Sequence, residues 1–127
     1  MKLNNTFDFK DLKLAVVGHI EWVTFLNVDK LPKAGTISHS YFSLEEPAGG
    51  GAVAAVQMKN LTQADVHFFT ALGNDYVGKK SHERLKSLGL QLHIAWRDKP
   101  TRKGFSLVDS DGERAITVIG ERLEPNS

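Results

Sequence analysis

Pro47-Ala48-Gly49-Gly50-Gly51-Ala52-Val53-Ala54-Ala55-Val56 runs three consecutive glycines straight into small and apolar residues. The run predicts a tight backbone turn entering a buried helix. Glycine takes φ > 0 freely and lets a ligand or a second backbone come close with no Cβ in the way. The N–H groups at the start of that helix, read as Ala52 onward, then offer a place for a polar or anionic group. The flanking segments decide what that place is for.

Upstream, Leu12-Lys13-Leu14-Ala15-Val16-Val17-Gly18 is a short apolar run closed by glycine, the pattern of a buried strand in a parallel sheet. In open α/β sheets ligands gather beyond the carboxyl ends of such strands. His19, Glu21 and Val23 follow Gly18 directly and are candidates to line a site. Residues 22–32 and 36–46 are rich in β-branched and aromatic side chains, with Leu31-Pro32-Lys33-Ala34-Gly35 as a turn between them. They predict two antiparallel strands outside the main layers. Residues 1–11 have only Leu3, Phe7 and Phe9 as apolar anchors and read as a loose arm.

Downstream, the helix is apolar nearly all round over Ala52 to Val56 and Met58, and polar from Lys59 and Asn60. Its start is expected to be buried and its end exposed. Residues 66–73 predict the next strand. Asp75 is placed to cap a helix over 76–88 that sets Val77, Ser81, Leu85 and Leu88 on one side. Gly89 stands where a helix C′ glycine belongs. Leu90, Leu92, Ile94 and Trp96 then alternate with Gln91, His93 and Arg97, as in a half-exposed strand. Residues 104–108 and 114–119 flank Asp109-Ser110-Asp111-Gly112-Glu113, whose Asp-Gly pair marks a hairpin turn. The order is strand, hairpin, helix, strand, helix, strand, hairpin. It predicts an α/β domain with the two hairpins forming a separate small sheet.

The 127 residues are 41% hydrophobic and 24% charged, which fits one globular domain able to bury a core. A net charge of +1 without a basic run argues against nucleic acid as partner. There is no cysteine, so disulfides and thiolate chemistry are excluded. No apolar stretch reaches membrane-spanning length, and the first residues lack the core of a signal peptide. A cytoplasmic protein with no membrane contact is the expectation.

Placed on this order, the motifs resemble the N-terminal part of a sugar kinase of the ribokinase (PfkB) family. The matching pieces are Ala15-Val16-Val17-Gly18, then Leu31-Pro32-Lys33-Ala34-Gly35 and Ala48-Gly49-Gly50-Gly51-Ala52-Val53-Ala54-Ala55. Ala71-Leu72-Gly73-Asn74-Asp75-Tyr76-Val77-Gly78, Pro100-Thr101-Arg102 and Asp111-Gly112-Glu113-Arg114 complete the series. The resemblance runs from about residue 12 to the end. It implies a ribokinase-like fold: a mostly parallel, Rossmann-like sheet flanked by helices, with a small antiparallel β lid over residues 22–46 and 104–119, truncated after it. It implies sugar contacts at His19, Glu21, Val23, Gly49, Gly50 and Gly51, with Arg102 reaching in from the lid base. Where relatives carry an Asp that grips sugar hydroxyls this chain has Val23, and Val53 matches their Asn; Glu21 remains as an acceptor.

Enzymes of that family phosphorylate a sugar hydroxyl with ATP and Mg²⁺. Their catalytic Asp, the general base toward that hydroxyl, lies in a Gly-Ala-Gly-Asp motif absent from this sequence. The chain alone is therefore expected to hold no catalytic residue, to bind no ATP or Mg²⁺, and to be inactive as a kinase. The other reading is a non-catalytic sugar-binding or interaction module derived from such a kinase. In either case a homo-oligomer, formed through the lid or an exposed sheet edge, is expected.

Two sharper motifs fail on their residues. Gly73 to Lys80 follows a strand and opens a helix like a P-loop, but Lys80 stands where Ser or Thr would bind Mg²⁺, and Asp75 would repel phosphate. Asp109-Ser110-Asp111-Gly112 lacks the further acidic ligands of a calcium loop and reads as a turn. The five histidines, His19, His39, His67, His82 and His93, never fall at metal-ligand spacing, so no metal site is expected.

Overall fold

The computed structural model describes residues 7–125; residues 1–6 of the expected arm lie outside them. What is described of the arm is a single 3-10 turn, Phe9–Asp11, capped by the Asp8 carboxylate. The elements that follow are β1 (Lys13–Val17), β2 (Glu21–Val28), β3 (Ser40–Ala48), α1 (Gly50–Thr62) and β4 (Asp65–Gly73). They continue with α2 (Tyr76–Ser87), β5 (Gln91–Arg97), β6 (Lys103–Val108) and β7 (Arg114–Ile119).

β1, β4 and β5 form a parallel sheet in the order β1-β4-β5. Strand pleating turns Leu14, Val16, Val66, Phe68, Leu92 and Ile94 toward the helices, where they join Ala52, Ala55 and Leu85 in one core. Ala52 and Ala55 are fully buried and Val56 packs beside them, so α1 presents small side chains at its contact and lies close on the sheet. Phe68 and Leu72 are also fully buried, and each stabilises the fold by about 1.5–3 kcal/mol relative to exposure. The opposite face of the sheet carries Lys13, Val17, Phe69 and His93, all exposed.

The second sheet has the order β3-β2-β6-β7. Each hairpin is antiparallel within itself, but β2 and β6 run parallel where the hairpins meet. The reason is geometric: β2 follows the carboxyl end of β1 and β6 follows that of β5, and those two strands are parallel. The small sheet is thus mixed rather than wholly antiparallel.

Three boundaries differ from the sequence reading. The link between β2 and β3 spans residues 29–39, because a turn closed by Thr36 N–H on Lys33 O (3.1 Å) leaves Thr36 and Ile37 outside any strand. α1 begins at Gly50 instead of Ala52, with Gly49 at φ +87° as its N-cap. Its buried face is Gly51, Ala52 and Ala55, whereas Val53 is half exposed. α2 agrees with expectation, and Gly89 at φ +91° closes it, with Leu90 N–H donating to Leu85 O (3.3 Å). Among the described residues no helix is long and apolar enough to cross a membrane.

Candidate functional site

The segment after β1 and the first turn of α1 are pressed together backbone to backbone. A Cβ on Gly51 would stand 2.7 Å from both the Gly18 carbonyl carbon and His19 O, and one on Gly18 would stand 2.8 Å from Gly51 Cα. Only glycine fits at either position. Gly51 N–H donates to His19 O (3.2 Å), and Gly50 N–H donates to His19 Nε2 (3.4 Å). These two bonds hold the first helical turn, so α1 starts early and its leading N–H groups are not all left open. The His19 ring lies against the turn: a Cβ on Gly49 would be 3.1 Å from His19 Cδ2.

Glu21 opens β2 and Arg102 directly precedes β6. The parallel pairing of these strands brings the two together, with Trp22 N–H donating to Arg102 O (2.9 Å). Arg102 Nε lies 3.2 Å from Glu21 Oε1, and His19 Nε2 lies 3.8 Å from the same oxygen. All three side chains are mostly shielded from solvent. Arg102 Nε is buried against the Glu21 carboxylate and makes no hydrogen bond, so the contact between the two side chains is one of charge. Val23 is buried beside them, opposite Gly104 in the register; a Cβ on Gly104 would be 3.3 Å from Val23 Cγ2 and 3.5 Å from Glu21 Oε2.

His19, Glu21, Val23, Gly49, Gly50, Gly51 and Arg102 therefore all fall in one patch at the carboxyl end of β1. Gly104 belongs with them and was not singled out from the sequence. Its signal is a glycine inside a strand pattern, a mark of close approach. Chemically the patch offers a carboxylate acceptor, a guanidinium and an imidazole beside exposed backbone at Gly50. That set suits a ligand rich in hydroxyl groups.

Arg102 is held there by its neighbour. Thr101 N–H donates to Asp75 Oδ2 (2.8 Å) and the Thr101 hydroxyl to Asp75 Oδ1 (2.8 Å). The same hydroxyl accepts from Gly73 N–H (2.9 Å), and Asp75 Oδ1 accepts from Gly78 N–H (2.8 Å), capping α2. Burial pushes the Asp75 carboxyl pKa up, but the Thr101 and Gly78 hydrogen bonds and the nearby Lys103 charge outweigh it. The net effect is a value below the ordinary one for a carboxyl group. The N–H groups of Gly73 and Gly78 are consumed and a carboxylate fills the turn, so this loop does not cradle phosphate. Likewise Asp109 Oδ1 accepts from Asp111 N–H and Glu113 N–H, the bonding of a turn.

A cleft of about 430 Å³ lies elsewhere, lined by Trp22, Glu45, Glu46, Lys80, Glu83 and Arg84. Its two basic side chains and Glu46 are already engaged. Arg84 Nη2 and Nε grip Glu46 at 2.8 and 2.9 Å, which raises the Arg84 pKa, and Lys80 Nζ sits 4.8 Å from the centre of the Trp22 ring. None of the predicted site residues lines it, and the Arg84–Glu46 pair within it joins α2 to β3. Among the described residues no three His, Cys, Asp or Glu side chains converge as a metal site.

Comparison with known proteins agrees with this architecture. The chain is 32% identical over 111 residues to the bifunctional ribokinase/ribose-5-phosphate isomerase A of Fructilactobacillus sanfranciscensis, covering 85% of this chain and 20% of that one. Ribokinase from Thermotoga maritima superposes with a TM-score of 0.70 at 28% identity, over 85% of this chain and 36% of that one. Arabidopsis thaliana ribokinase, solved with ribose and ATP, superposes with a TM-score of 0.64 at 24% identity, over 86% and 36%. The chain thus spans a fifth to about a third of the length of its curated relatives. The model of the pfkB family carbohydrate kinases matches residues 11–125. With that match covering nearly the whole sequence, this chain belongs to the pfkB family of carbohydrate kinases.

Proposed function

We propose that this chain is the sugar-binding and lid portion of an ATP-dependent carbohydrate kinase that phosphorylates a sugar hydroxyl. The observation that carries this reading is the convergence of the Glu21 carboxylate, the Arg102 guanidinium and the His19 imidazole beside the Gly49–Gly51 turn. Glu21 accepts from one sugar hydroxyl while Arg102 donates to another oxygen. The glycines let the sugar ring lie on the backbone, and β2 and β6 carry the groups that cover it. Family membership and the ribose and ATP held by the Arabidopsis relative support the assignment.

ATP with Mg²⁺ supplies the phosphoryl group in the complete enzyme. Neither glycine turn of this chain suits a triphosphate: one is filled by Asp75, and in the other the Gly50 and Gly51 N–H groups already donate to His19, which leaves backbone surface without the free donors a phosphate needs. The chain's own part is accordingly to bind and orient the acceptor, and alone it is inactive as a kinase. The half-exposed apolar residues of the small sheet, Phe42, Leu44, Ile116 and Val118, are the surface through which it self-associates.

Titration calorimetry with a panel of pentoses and hexoses tests the site. A hydrogen bond to a charged group contributes about 1.5–3 kcal/mol, so Glu21→Gln should weaken sugar binding tenfold or more. Gly50→Val should abolish it with the fold retained, because an added Cβ already stands 3.4 Å from His19 Cε1 and branching displaces the imidazole. Equal sugar affinity in both variants and the native chain would overturn the assignment.

A further inference from the structure

Among the described residues the open strand edges are those of β1 and β5 in the parallel sheet and of β3 and β7 in the small one. β1, β5 and β3 carry the charged residues or proline that keep an edge from pairing with another chain. β1 holds Lys13, β5 holds Arg97, and β3 holds Glu45, Glu46 and Pro47, with Glu46 tied to Arg84. β7 is different. From Ala115 to Ile119 it is uncharged, rich in β-branched residues and free of proline, and every residue of the strand is exposed.

The hydrogen-bond phase of the last hairpin decides which groups β7 leaves open. Asp109 N–H donates to Glu113 O (3.0 Å), so these two residues are a bonded pair at the mouth of the turn. Antiparallel pairs alternate between bonded and unbonded, so the bonded pairs that follow are Leu107 with Ala115, Phe105 with Thr117 and Lys103 with Ile119. The other side of β6 agrees. Just before that strand Arg102 O accepts from Trp22 N–H, which sets the even-numbered residues of β6 toward β2. Arg114, Ile116 and Val118 therefore turn their N–H and C=O groups outward, where no strand of the described residues receives them.

These outward groups are complementary to themselves. In an antiparallel pair outward residues must meet outward residues, and a two-fold axis at Ile116 brings all of them into register. Ile116 then faces Ile116 of the other chain, and Arg114 faces its Val118. We propose that β7 is an interaction edge whose occupant is the β7 of a second copy, joined antiparallel about that axis, so that two four-stranded sheets become one continuous sheet. The strand register places Ile116 on the same face as Phe42, Leu44 and Val118. Edge pairing lays the two apolar faces side by side, and this joined face is the surface on which dimers stack into larger species. The geometry rests on the self-association proposed above and does not depend on the sugar-binding patch.

Residue-resolved hydrogen exchange of the native chain over a concentration series tests this, with sedimentation following monomer and dimer. As dimer replaces monomer, exchange at the Arg114, Ile116 and Val118 amides should slow about tenfold or more, and at Ala115, Thr117 and Ile119, already bonded to β6, it should change less. Ile116→Pro removes the N–H at the axis while sparing the ladder to β6, and should leave a folded monomer. Ile116→Val should keep the dimer. Phe42→Arg should also keep the dimer and lose only the larger species. A dimer with no slowing at the three outward amides, or one that Phe42→Arg reduces to a monomer, would overturn edge pairing alone. A chain that stays monomeric at every concentration would overturn self-association with it, while sugar titration reports on the binding patch separately.

Discussion

Adjacent glycines in the turn do different jobs, and substitutions at Gly50 and Gly51 should separate them. Gly51 faces backbone at 2.7 Å, so Gly51→Ala forces α1 off β1 and should cost about 1–3 kcal/mol in urea unfolding. Gly50 has an open approach limited only by His19 at 3.4 Å, so Gly50→Ala should change stability by less than about 1 kcal/mol. If the two variants unfold alike, the packing account of the turn is wrong. Asp75 makes a sharper case. Its carboxyl pKa is lower in the folded chain than in the unfolded one, so the stability it contributes is full above the ordinary carboxyl value. That contribution is lost as the pH falls through the lowered folded value. Asp75→Asn should therefore destabilise the chain by about 1–3 kcal/mol at neutral pH. The gap should close in acid, and a gap that persists at pH 2 would contradict the linkage. Ser81 runs the other way: its hydroxyl is fully buried on α2 without a hydrogen-bond partner. Ser81→Ala should stabilise by about 1 kcal/mol, combining removal of that orphan with better helix propensity.

Between elements, the Arg84–Glu46 fork ties α2 to β3 at the foot of the small sheet. It is a half-exposed pair, so Arg84→Ala should cost only about 0.2–1 kcal/mol. Its clearer effect should be faster amide exchange through residues 42–47, with α1 and β4 unchanged. Elements were the most legible level of the sequence. The apolar runs, the Asp75 cap, the Gly89 stop and the Asp-Gly turn each act through local chemistry, and each appears where its residues predict. Pairing was less legible, because it is set by partners distant in the chain. The parallel contact of β2 with β6, the start of α1 at Gly50 and the Asp75–Thr101 bonds all depend on residues 20 or more positions apart. The same limit applies to the histidines: 26 positions separate His67 from His93, and only the β4–β5 register joins them.

For the whole molecule, the two sheets divide the work. The parallel sheet with its helices makes the core, and the mixed sheet carries Glu21 and Arg102 to the end of β1. Self-association through the small sheet should be reversible by charge. Sedimentation of the native chain should show a dimer or larger species, while Ile116→Arg should sediment as a monomer with an unchanged circular dichroism spectrum. What was legible of the candidate site was its neighbourhood: His19 follows β1, Glu21 and Val23 lie at the start of β2, the glycines form the turn into α1, and Arg102 precedes β6. Its charge pairing was not legible, because nothing local says that Arg102 lies against Glu21. The most direct test of that pairing as a sugar site is amide-shift mapping of the labelled chain during titration with pentoses and hexoses. The account predicts saturable shifts at His19, Glu21, Gly50, Gly51, Arg102 and Gly104, with little change at Asn74 and Tyr76. Shifts centred instead on Trp22, Glu46 and Arg84, or no shifts with any sugar, would contradict it.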